Sequence, residues 1–399
     1  MITPFVRRVV DYQAGYQEVS IVTLAPQLAA SVALLCFFRK LPLLYTMSFL
    51  PFLLVLVGVL YGYFVGAINS GLFAASYDLL LWAVPIAFGF LIASDWRSFP
   101  VYRDAIFKVF LWGGAIMGAY GIHQYFYLLP WDAYWMRNAD IASVGLPFPL
   151  LVRVYSTMNS PVPFGAMIIP TLLIVFVASS WIRFPAALLA FIAFALSIVR
   201  TAWLGWLIAV FFLMAALRGA RRMTLVLGIA AVALVATPII TTGDIGERFM
   251  KRLDSFQDLD EDESFQARSA LYGSLTQQAL TTFWGIGTGA VGKATKLTSK
   301  SQTVVTIDSG FLIVPYVLGW PGAFLMLIGV SWLMLRPPGI VDRRNEVVVQ
   351  TSTALCVAYI AMMTSYNSMY GVGGILFWTF MGLRLSGRLW SAGTPGHSA

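Results

Sequence analysis

The chain has 399 residues, of which 59% are hydrophobic and only 11% are charged. Because soluble domains carry about 25% charged residues, this composition excludes an ordinary soluble protein and indicates an integral membrane protein. The formal net charge of +8 does not indicate nucleic-acid binding, since most lysines and arginines flank apolar runs, where they set orientation in the membrane. The two cysteines lie inside apolar runs and favour neither a disulfide framework nor a metal site.

The amino-terminal segment, MITPFVRRVVDYQAGYQE, has polar residues where a signal peptide needs an apolar core, so we expect no cleavage there. Eleven apolar runs follow, each long enough, or nearly so, to cross a membrane as a helix. They cover residues 19–38, 43–66, 72–93, 105–129, 161–180, 184–199, 201–217, 223–241, 310–335, 347–369 and 371–388. Pro26 and Gln27 interrupt the first run and indicate either a bent helix or a short hairpin. The sequence therefore predicts an all-α polytopic membrane protein with about 10–12 transmembrane helices, forming a single transmembrane domain over residues 1–399.

Short basic connections predict the orientation, because the inner side of a membrane collects lysine and arginine. If the runs alternate, one side receives Arg39-Lys40, Arg97/Arg103/Lys108, Arg183, Arg218/Arg221/Arg222, Arg336/Arg343/Arg344 and Arg384/Arg388. That side is the predicted cytoplasm. The other side receives 67–71, 130–160, Arg200, 242–309 and the turn near Tyr370, and in a bacterium with two membranes it is the periplasm. Eleven crossings would place Arg7 and Arg8 outside, against the same rule.

The longest polar stretch, Thr242–Asp308, holds half of the acidic residues of the chain. We predict a large helical periplasmic loop at 242–309 and a smaller periplasmic loop at 130–160. Residues 247–256 form a predicted amphipathic helix, with Arg248, Lys251 and Arg252 on one face. That face could bind a phosphate group or generic anionic lipid, and the spacing favours neither.

A second predicted helix, residues 264–283, presents Arg268 and Tyr272 on one face. It ends in FWGIGTGAVG, whose glycines allow positive φ and close backbone approach. The segment has neither the preceding strand nor the following Lys-Ser/Thr of a phosphate loop, so a tight turn is the favoured interpretation.

Arg200 lies at a break between two apolar runs, in SIVRTAWLGW. It could mark the outer boundary and reach lipid headgroups, but with no carboxylate nearby in sequence we favour an anion-binding role. Asp308 closes the polar stretch at the start of the next run. It is either a helix N-cap or a general base that takes a proton from an attacking hydroxyl.

The smaller loop ends in LLVRVYSTMNSPVPFG, where Arg153 could join the anion site. Tyr155 and Asn159 are candidate substrate-binding residues, although Asn159 could also cap the helix that begins at Pro161. Upstream, WDAYWMRN is rich in aromatic residues, and a membrane-interface belt is the favoured interpretation over a sugar-stacking surface.

Several of these segments in order resemble the O-antigen ligase and Wzy-type polysaccharide polymerase superfamily: RVYSTMNSPVPFG, RTAWLG from Arg200, a large outer loop with Arg268, GIGTGAVG, and DSGFLIVPYVLGWPG from Asp308. The resemblance covers roughly residues 150–325 by motif and the remainder by hydropathy alone.

The resemblance implies a lipid-linked glycan transferase on the outer face of the bacterial inner membrane, without metal or cofactor. The donor would be an oligosaccharide on undecaprenyl pyrophosphate and the acceptor a sugar hydroxyl, with other polysaccharide assembly proteins as further partners. Family arginines that hold the pyrophosphate correspond to Arg200 and Arg268, with Arg153, Arg248 and Arg252 as further candidates. An arginine fork suits this task because it binds paired phosphate oxygens and stays charged.

The chain departs from the ligases at one position, since Asp308-Ser309 stands where the ligases have a His-Asn pair. An aspartate there is similar to the exopolysaccharide polymerases, which favours a polymerase. A ligase that transfers the glycan to lipid A core or to protein is the alternative, and a lipid-glycan transporter or flippase is a second one. Few charges in the runs and the absence of an inverted repeat disfavour the transporter.

Overall fold

The computed structural model describes residues 1–17, 20–139, 141–241, 277, 279, 281–297, 307, 309–336 and 343–393. These residues form an all-helical structure. Its α-helices are α1 (Thr3–Ala14), α2 (Ala25–Arg39), α3 (Leu50–Asn69), α4 (Leu72–Ser94), α5 (Phe99–Phe126), α6 (Pro130–Asn138), α7 (Pro161–Ile174), α8 (Arg183–Leu196), α9 (Arg200–Ala216), α10 (Ala220–Thr241), α11 (Gly310–Leu335), α12 (Arg343–Met362) and α13 (Gly371–Gly393).

Each predicted apolar run overlaps one of the helices α2–α5 and α7–α13. Five segments in the described part are long and apolar enough to cross a membrane, namely Val22–Arg39, Leu50–Asn69, Leu72–Ser94, Trp96–Phe126 and Gly310–Leu335. The helices α7, α8 and α9 are apolar but shorter. These helices fit a multi-pass membrane protein, while the total of ten to twelve crossings stays a prediction.

The first apolar run does not form a hairpin. A short 3-10 helix, Ile21–Leu24, leads directly into α2, which begins at Ala25. Pro26 therefore lies in the first turn of α2, where its missing N–H removes no helical hydrogen bond. The expected interruption at Pro26 is thus a change of helix type.

The contacts divide the chain into two compact units. Unit 1 comprises Met1–Pro26 and Arg103–Asp262, and unit 2 comprises Gln27–Tyr102 and Glu263–Ala399. In unit 1, α1 packs on α6, while α7 packs on α8 and α9. In unit 2, α3 packs on α11, and α4 and α12 both pack on α13.

Small residues allow the helices of unit 2 to approach closely. A Cβ atom added to Gly89 of α4 would lie 2.5 Å from the carbonyl oxygen of Trp378 in α13. Around this contact the buried rings of Phe52, Phe90 and Trp378 pack together, with ring centroids 5.7 Å apart for the two phenylalanines. Close packing of small residues is the usual way in which helices associate in lipid, where burial of apolar surface gives little driving force.

Contacts between loops in unit 2 agree with alternating helices. The α3–α4 turn contacts the glycine-rich turn, because Asn69 donates to the carbonyl of Ile286 at 3.2 Å. The start of α11 contacts the α12–α13 turn, because the amide of Gly310 donates to the carbonyl of Met363 at 2.8 Å. The alternation predicts that all four segments lie at one end of their helices.

Unit 1 has contacts of the same kind. The amide of Val154, before α7, donates to the carbonyl of Leu196, at the end of α8, at 3.2 Å. Two helices separate these residues, and an even number of crossings returns the chain to the same side. Likewise, α1 contacts α6, and the four helices α2–α5 lie between them in the sequence.

Candidate functional site

Two arginines of the predicted anion site are described: Arg153 contacts the turn between α8 and α9, and Arg200 follows that turn directly. The half-buried guanidinium of Arg153 donates from Nη2 to the carbonyl of Ile198 at 2.7 Å. A longer contact of 3.4 Å joins Nε to the carbonyl of Ser197. Arg200 is the first residue of α9 and is also half-buried. The fold thus brings the guanidinium of Arg153 to the backbone of the turn that directly precedes Arg200.

The backbone around this turn is strained. Among the described residues other than glycine, Leu150, Ser156 and Ile198 have positive φ, at 64°, 50° and 52°. For a β-branched residue such as Ile198 this conformation is a genuine outlier. Such residues cost about 1–3 kcal/mol each and cluster where the surrounding structure fixes a functional site. Here all three lie in or next to the segments that carry Arg153 and Arg200.

A buried ion pair between α1 and α6 contacts the loop that carries Arg153. Arg8 of α1 and Asp132 of α6 are both 0% exposed, with Nη1 of Arg8 2.5 Å from Oδ1 of Asp132. Nη2 of Arg8 donates to the carbonyl of Ser156. The guanidinium carbon also lies 4.9 Å from the ring centroid of Tyr155. Arg8 therefore connects α1 to the loop that carries Arg153.

The second carboxylate oxygen of Asp132 organises the rest of the network. Tyr120 and Gln124 of α5 donate to Oδ2 of Asp132 at 2.8 and 2.9 Å. The side-chain oxygen of Gln124 then accepts from the amides of Tyr155 and Ser156 at 3.1 and 2.8 Å. A buried carboxylate needs such partners, because an isolated charge in a low-dielectric interior is very unfavourable.

Tyr155 belongs to this network. Its ring is fully buried, and its hydroxyl donates to the carbonyl of Asp132 at 3.4 Å. Burial raises the pKa of Tyr155, and the negative charge of Asp132 raises it further. The side chain of Tyr155 is thus enclosed by the protein. Its predicted contact with substrate stays a prediction.

Asn159 does not cap α7. The N-cap residue is Ser160, and no side-chain hydrogen bond caps this helix. The capping interpretation of Asn159 is therefore wrong, because the helix begins one residue later than a cap at Asn159 requires. The side-chain oxygens of Asn159 and Thr157 are buried and have no hydrogen-bond partner among the described residues, so both could accept a hydrogen bond from a bound hydroxyl.

The aromatic segment WDAYWMRN is helix α6. Trp135 is only 3% exposed, and its indole N–H donates to the carbonyl of Asn159 at 3.1 Å. The guanidinium carbon of Arg7 lies 4.9 Å from its ring centroid. The favoured interpretation of an interface belt is therefore wrong for Trp135, because its ring is enclosed by the protein.

In unit 2 the glycine-rich segment forms the predicted tight turn. Gly285, Gly287 and Gly289 have φ of 78°, 88° and 85°. The turn lies against α3, where a Cβ atom on Gly287 would be 2.1 Å from the amide nitrogen of Gly66. Only glycine fits such an approach.

This turn donates hydrogen bonds to carbonyl groups at a break in α11. The helix is interrupted at Gly319, which has φ 66° and ψ 169°. The amides of Ile286 and Gly287 each donate at 3.0 Å to the carbonyls of Tyr316 and Val317, which the break frees. Irregular backbone at membrane depth requires partners of this kind.

Asp78 of α4 lies beside the same turn. It is 1% exposed and accepts from the amide of Gly289 at 2.9 Å and from the hydroxyl of Tyr370 at 2.5 Å. Sequence reasoning missed Asp78, Asp132 and Arg8. For Asp78 the available signal was a single carboxylate within an apolar run, a feature that marks functional residues in membrane proteins.

Five predicted site residues lie outside the described residues, namely Asp308, Arg268, Arg248, Arg252 and Tyr272. Their predicted roles stay predictions. Among the described residues, no group of three or more His, Cys, Asp or Glu side chains could hold a metal ion.

No protein-family model and no curated protein sequence matches the chain.

Proposed function

We propose that the chain is a glycan polymerase of the Wzy type. It would transfer an oligosaccharide from undecaprenyl pyrophosphate to the non-reducing-end hydroxyl of another lipid-linked repeat unit, at the periplasmic face of the bacterial inner membrane. The hydroxyl oxygen attacks the anomeric carbon, the bond from that carbon to the pyrophosphate breaks, and undecaprenyl pyrophosphate leaves. Asp308 takes the hydroxyl proton, and the attack from the opposite side inverts the anomeric carbon.

The observation that carries this proposal is the contact of Arg153 with the strained turn that directly precedes Arg200. Two guanidinium groups from separate loops suit an anion with several oxygens, and a pyrophosphate is such an anion. The contacts of Arg153 with the carbonyls of Ser197 and Ile198 fix its position before substrate binds. Fixed cationic groups stabilise the charge that develops on a leaving group, often the largest contribution to catalysis.

The loop that carries Arg153 also has side chains that could bind the acceptor glycan. Asn159 and Thr157 follow Arg153 closely in sequence and keep buried side-chain oxygens without a partner among the described residues. Sugar hydroxyls donate hydrogen bonds to such oxygens. The loop therefore offers groups for both the pyrophosphate and the glycan.

The test is extension of a lipid-linked repeat unit by the purified protein, with no added nucleotide or metal. We expect longer lipid-linked glycans. Arg200→Ala and Arg153→Lys should each lower kcat by about a hundredfold or more, because a lysine cannot reproduce the arginine fork. Arg137→Ala is the matched control, since Arg137 is exposed and belongs to the same 130–160 loop. Normal extension by both variants would contradict the proposal.

Two alternatives predict other products in the same assay. A ligase would extend nothing but would transfer glycan when lipid A core or a protein acceptor is added. A transporter would move lipid-linked material across a liposome membrane without changing it. The transporter alternative has support in the break at Gly319 and in the buried Asp78, because broken helices and buried ionisable groups form the binding sites of many transporters.

A further inference from the structure

Three arginines gather at the end of unit 2 where α11 stops. Arg336 is the C-cap residue of α11. Arg384 and Arg388 are four residues apart in α13 and therefore share one helix face. This end of α11 is far along the helix from the break at Gly319 and the glycine-rich turn, so the cluster is separate from the segments that the proposed reaction uses.

The side chain of Arg384 is held by hydrogen bonds within the protein. It is 4% exposed, and its guanidinium donates to the carbonyls of Leu333, Met334 and Arg336 and to the hydroxyl of Thr353. It thus satisfies the last carbonyls of α11, which have no partner within the helix. These acceptors are neutral, and none of the ion pairs within the described ranges compensates the positive charge of Arg384.

Arg388 is buried, and one nitrogen of its guanidinium has no hydrogen-bond acceptor among the described residues. It is 9% exposed, and its Nη1 has no hydrogen-bond partner among the described residues. The positive charges of Arg384 and Arg336 both act on it. The described ion pairs include none of these three arginines. A buried cation that has no carboxylate partner in the described part of the chain and lies beside two other cations is unfavourable unless an anion joins it.

We propose that Arg336, Arg384 and Arg388 form a binding site for a phosphate group. Arg388 supplies the free N–H donor and Arg384 supplies a fixed charge. Arg336, whose Nη1 also lies 3.5 Å from the carbonyl oxygen of Met47, adds a third positive charge from the end of α11. Arginine suits phosphate because its planar group presents several donors to oxygen atoms. The ligand is either the headgroup phosphate of an anionic lipid or free phosphate. The site does not depend on the proposed polymerase activity.

A surface arginine at a membrane boundary would attract anionic lipid without selecting a position. The proposed site differs because Arg388 is nine-tenths buried and its partners are fixed by α11 and α13. It should therefore hold one phosphate group with a defined stoichiometry. The exposed Arg218, between α9 and α10, provides the comparison with a non-specific surface charge.

The experiment measures lipid bound to purified full-length protein by native mass spectrometry, using the unmodified chain, Arg388→Gln and Arg218→Gln. Nanodiscs contain phosphatidylcholine either alone or with phosphatidylglycerol. A second arm uses lipid-depleted protein in detergent with increasing inorganic phosphate, and follows the thermal unfolding midpoint. Loss of one charged hydrogen bond should weaken binding by about tenfold or more.

Retention of one phosphatidylglycerol by the unmodified chain and by Arg218→Gln, but not by Arg388→Gln, supports the site with a lipid ligand. Stabilisation by inorganic phosphate that Arg388→Gln alone lacks supports the site with free phosphate. If Arg388→Gln and the unmodified chain behave alike in both arms, the proposal is wrong. Arg388→Lys separates charge from geometry and should restore only part of the binding.

Discussion

Arg8 and Asp132 show how strongly a buried pair depends on both partners. Removing a charge from water costs several kcal/mol, and the pair recovers this only through close geometry and further hydrogen bonds. Both side chains are 0% exposed, and Tyr120 and Gln124 complete the carboxylate's hydrogen bonds. The pair therefore fixes the position of α1 against α5 and α6, and with it the loop that carries Arg153.

We predict that Asp132→Ala destabilises the protein by about 3–5 kcal/mol, because Arg8 then remains buried without a carboxylate. Thermal unfolding in detergent measures the change. Asp104→Ala is the control, since its carboxylate is 69% exposed and such surface pairs contribute about 0–1 kcal/mol. The double variant Arg8→Met with Asp132→Leu should recover most of the loss. Equal stability of Asp132→Ala and Asp104→Ala would refute the role given to this pair.

At the scale of elements, the glycine-rich turn and the broken helix α11 form one structure. The turn supplies amide donors to the carbonyls of Tyr316 and Val317, while the amide of Trp320 donates to the carbonyl of Phe283 at 2.9 Å. Neither element can adopt this geometry alone without leaving polar backbone groups unpaired. A change in the turn should therefore disturb α11.

Two glycine substitutions separate packing from backbone strain. Gly287→Ala places a Cβ atom 2.1 Å from the backbone of Gly66, at φ 88°. Gly292→Ala has a comparable φ of 64°, but its Cβ meets no atom within 4 Å. The positive φ alone should cost about 1–2 kcal/mol, so we predict that Gly287→Ala is clearly the more destabilised in thermal unfolding. Similar losses in both variants would mean that the close approach to α3 is unimportant.

The sequence predicts the helices of this fold better than their ends and the turns between them. Each apolar run locates one helix, with ends that differ by up to seven residues, because each spanning helix must satisfy its own backbone. The ends are less accurate: the run at 161–180 becomes α7, which stops at Ile174. Positive φ at the glycines is predictable, since glycine permits it. Positive φ at Ile198 is not, because only the surrounding fold makes a β-branched residue adopt it.

The candidate site was predictable only where single residues stand out. Arg200 interrupts apolar sequence and is therefore visible. Arg153 was also a candidate, but its contact with Ile198 joins residues that are 45 positions apart. Arg8 and Asp132 are 124 positions apart, and no local pattern connects them. Pairings of this kind follow from the tertiary fold, which composition and periodicity do not determine.

For the whole molecule, the packing of α1 on α6 explains the unexpected Arg7 and Arg8. Arg7 forms an ion pair with Asp11 at 3.2 Å and Arg8 pairs with Asp132. Neither is a free cation of the kind that marks the inner side. Both arginines can therefore lie on the side of the 130–160 loop without opposing the orientation that the other basic segments predict.

Accessibility of introduced cysteines tests this topology. In a background where Cys36 and Cys356 are replaced, single cysteines at Gln13, Arg137 and Arg222 are labelled in intact cells with a reagent that does not cross the inner membrane. All three positions are exposed. We predict labelling of Gln13→Cys and Arg137→Cys, and labelling of Arg222→Cys only after lysis. Opposite behaviour of the first two positions would contradict the even number of crossings between α1 and α6.

The hydrogen-bond partners of Asp78 are synthesised long after Asp78 itself, and this delays the stabilisation of α4. Gly289 and Tyr370 lie 211 and 292 residues further along the chain. At a synthesis rate of about 5–20 residues per second, the ribosome needs roughly 10 to 40 s to reach Gly289 after Asp78. During that interval α4 enters the bilayer with a carboxyl group that has neither native partner, at a cost of up to about 3 kcal/mol. The apolar residues of α4 must offset this cost on their own, and the helix reaches its final stability only when the last third of the chain arrives.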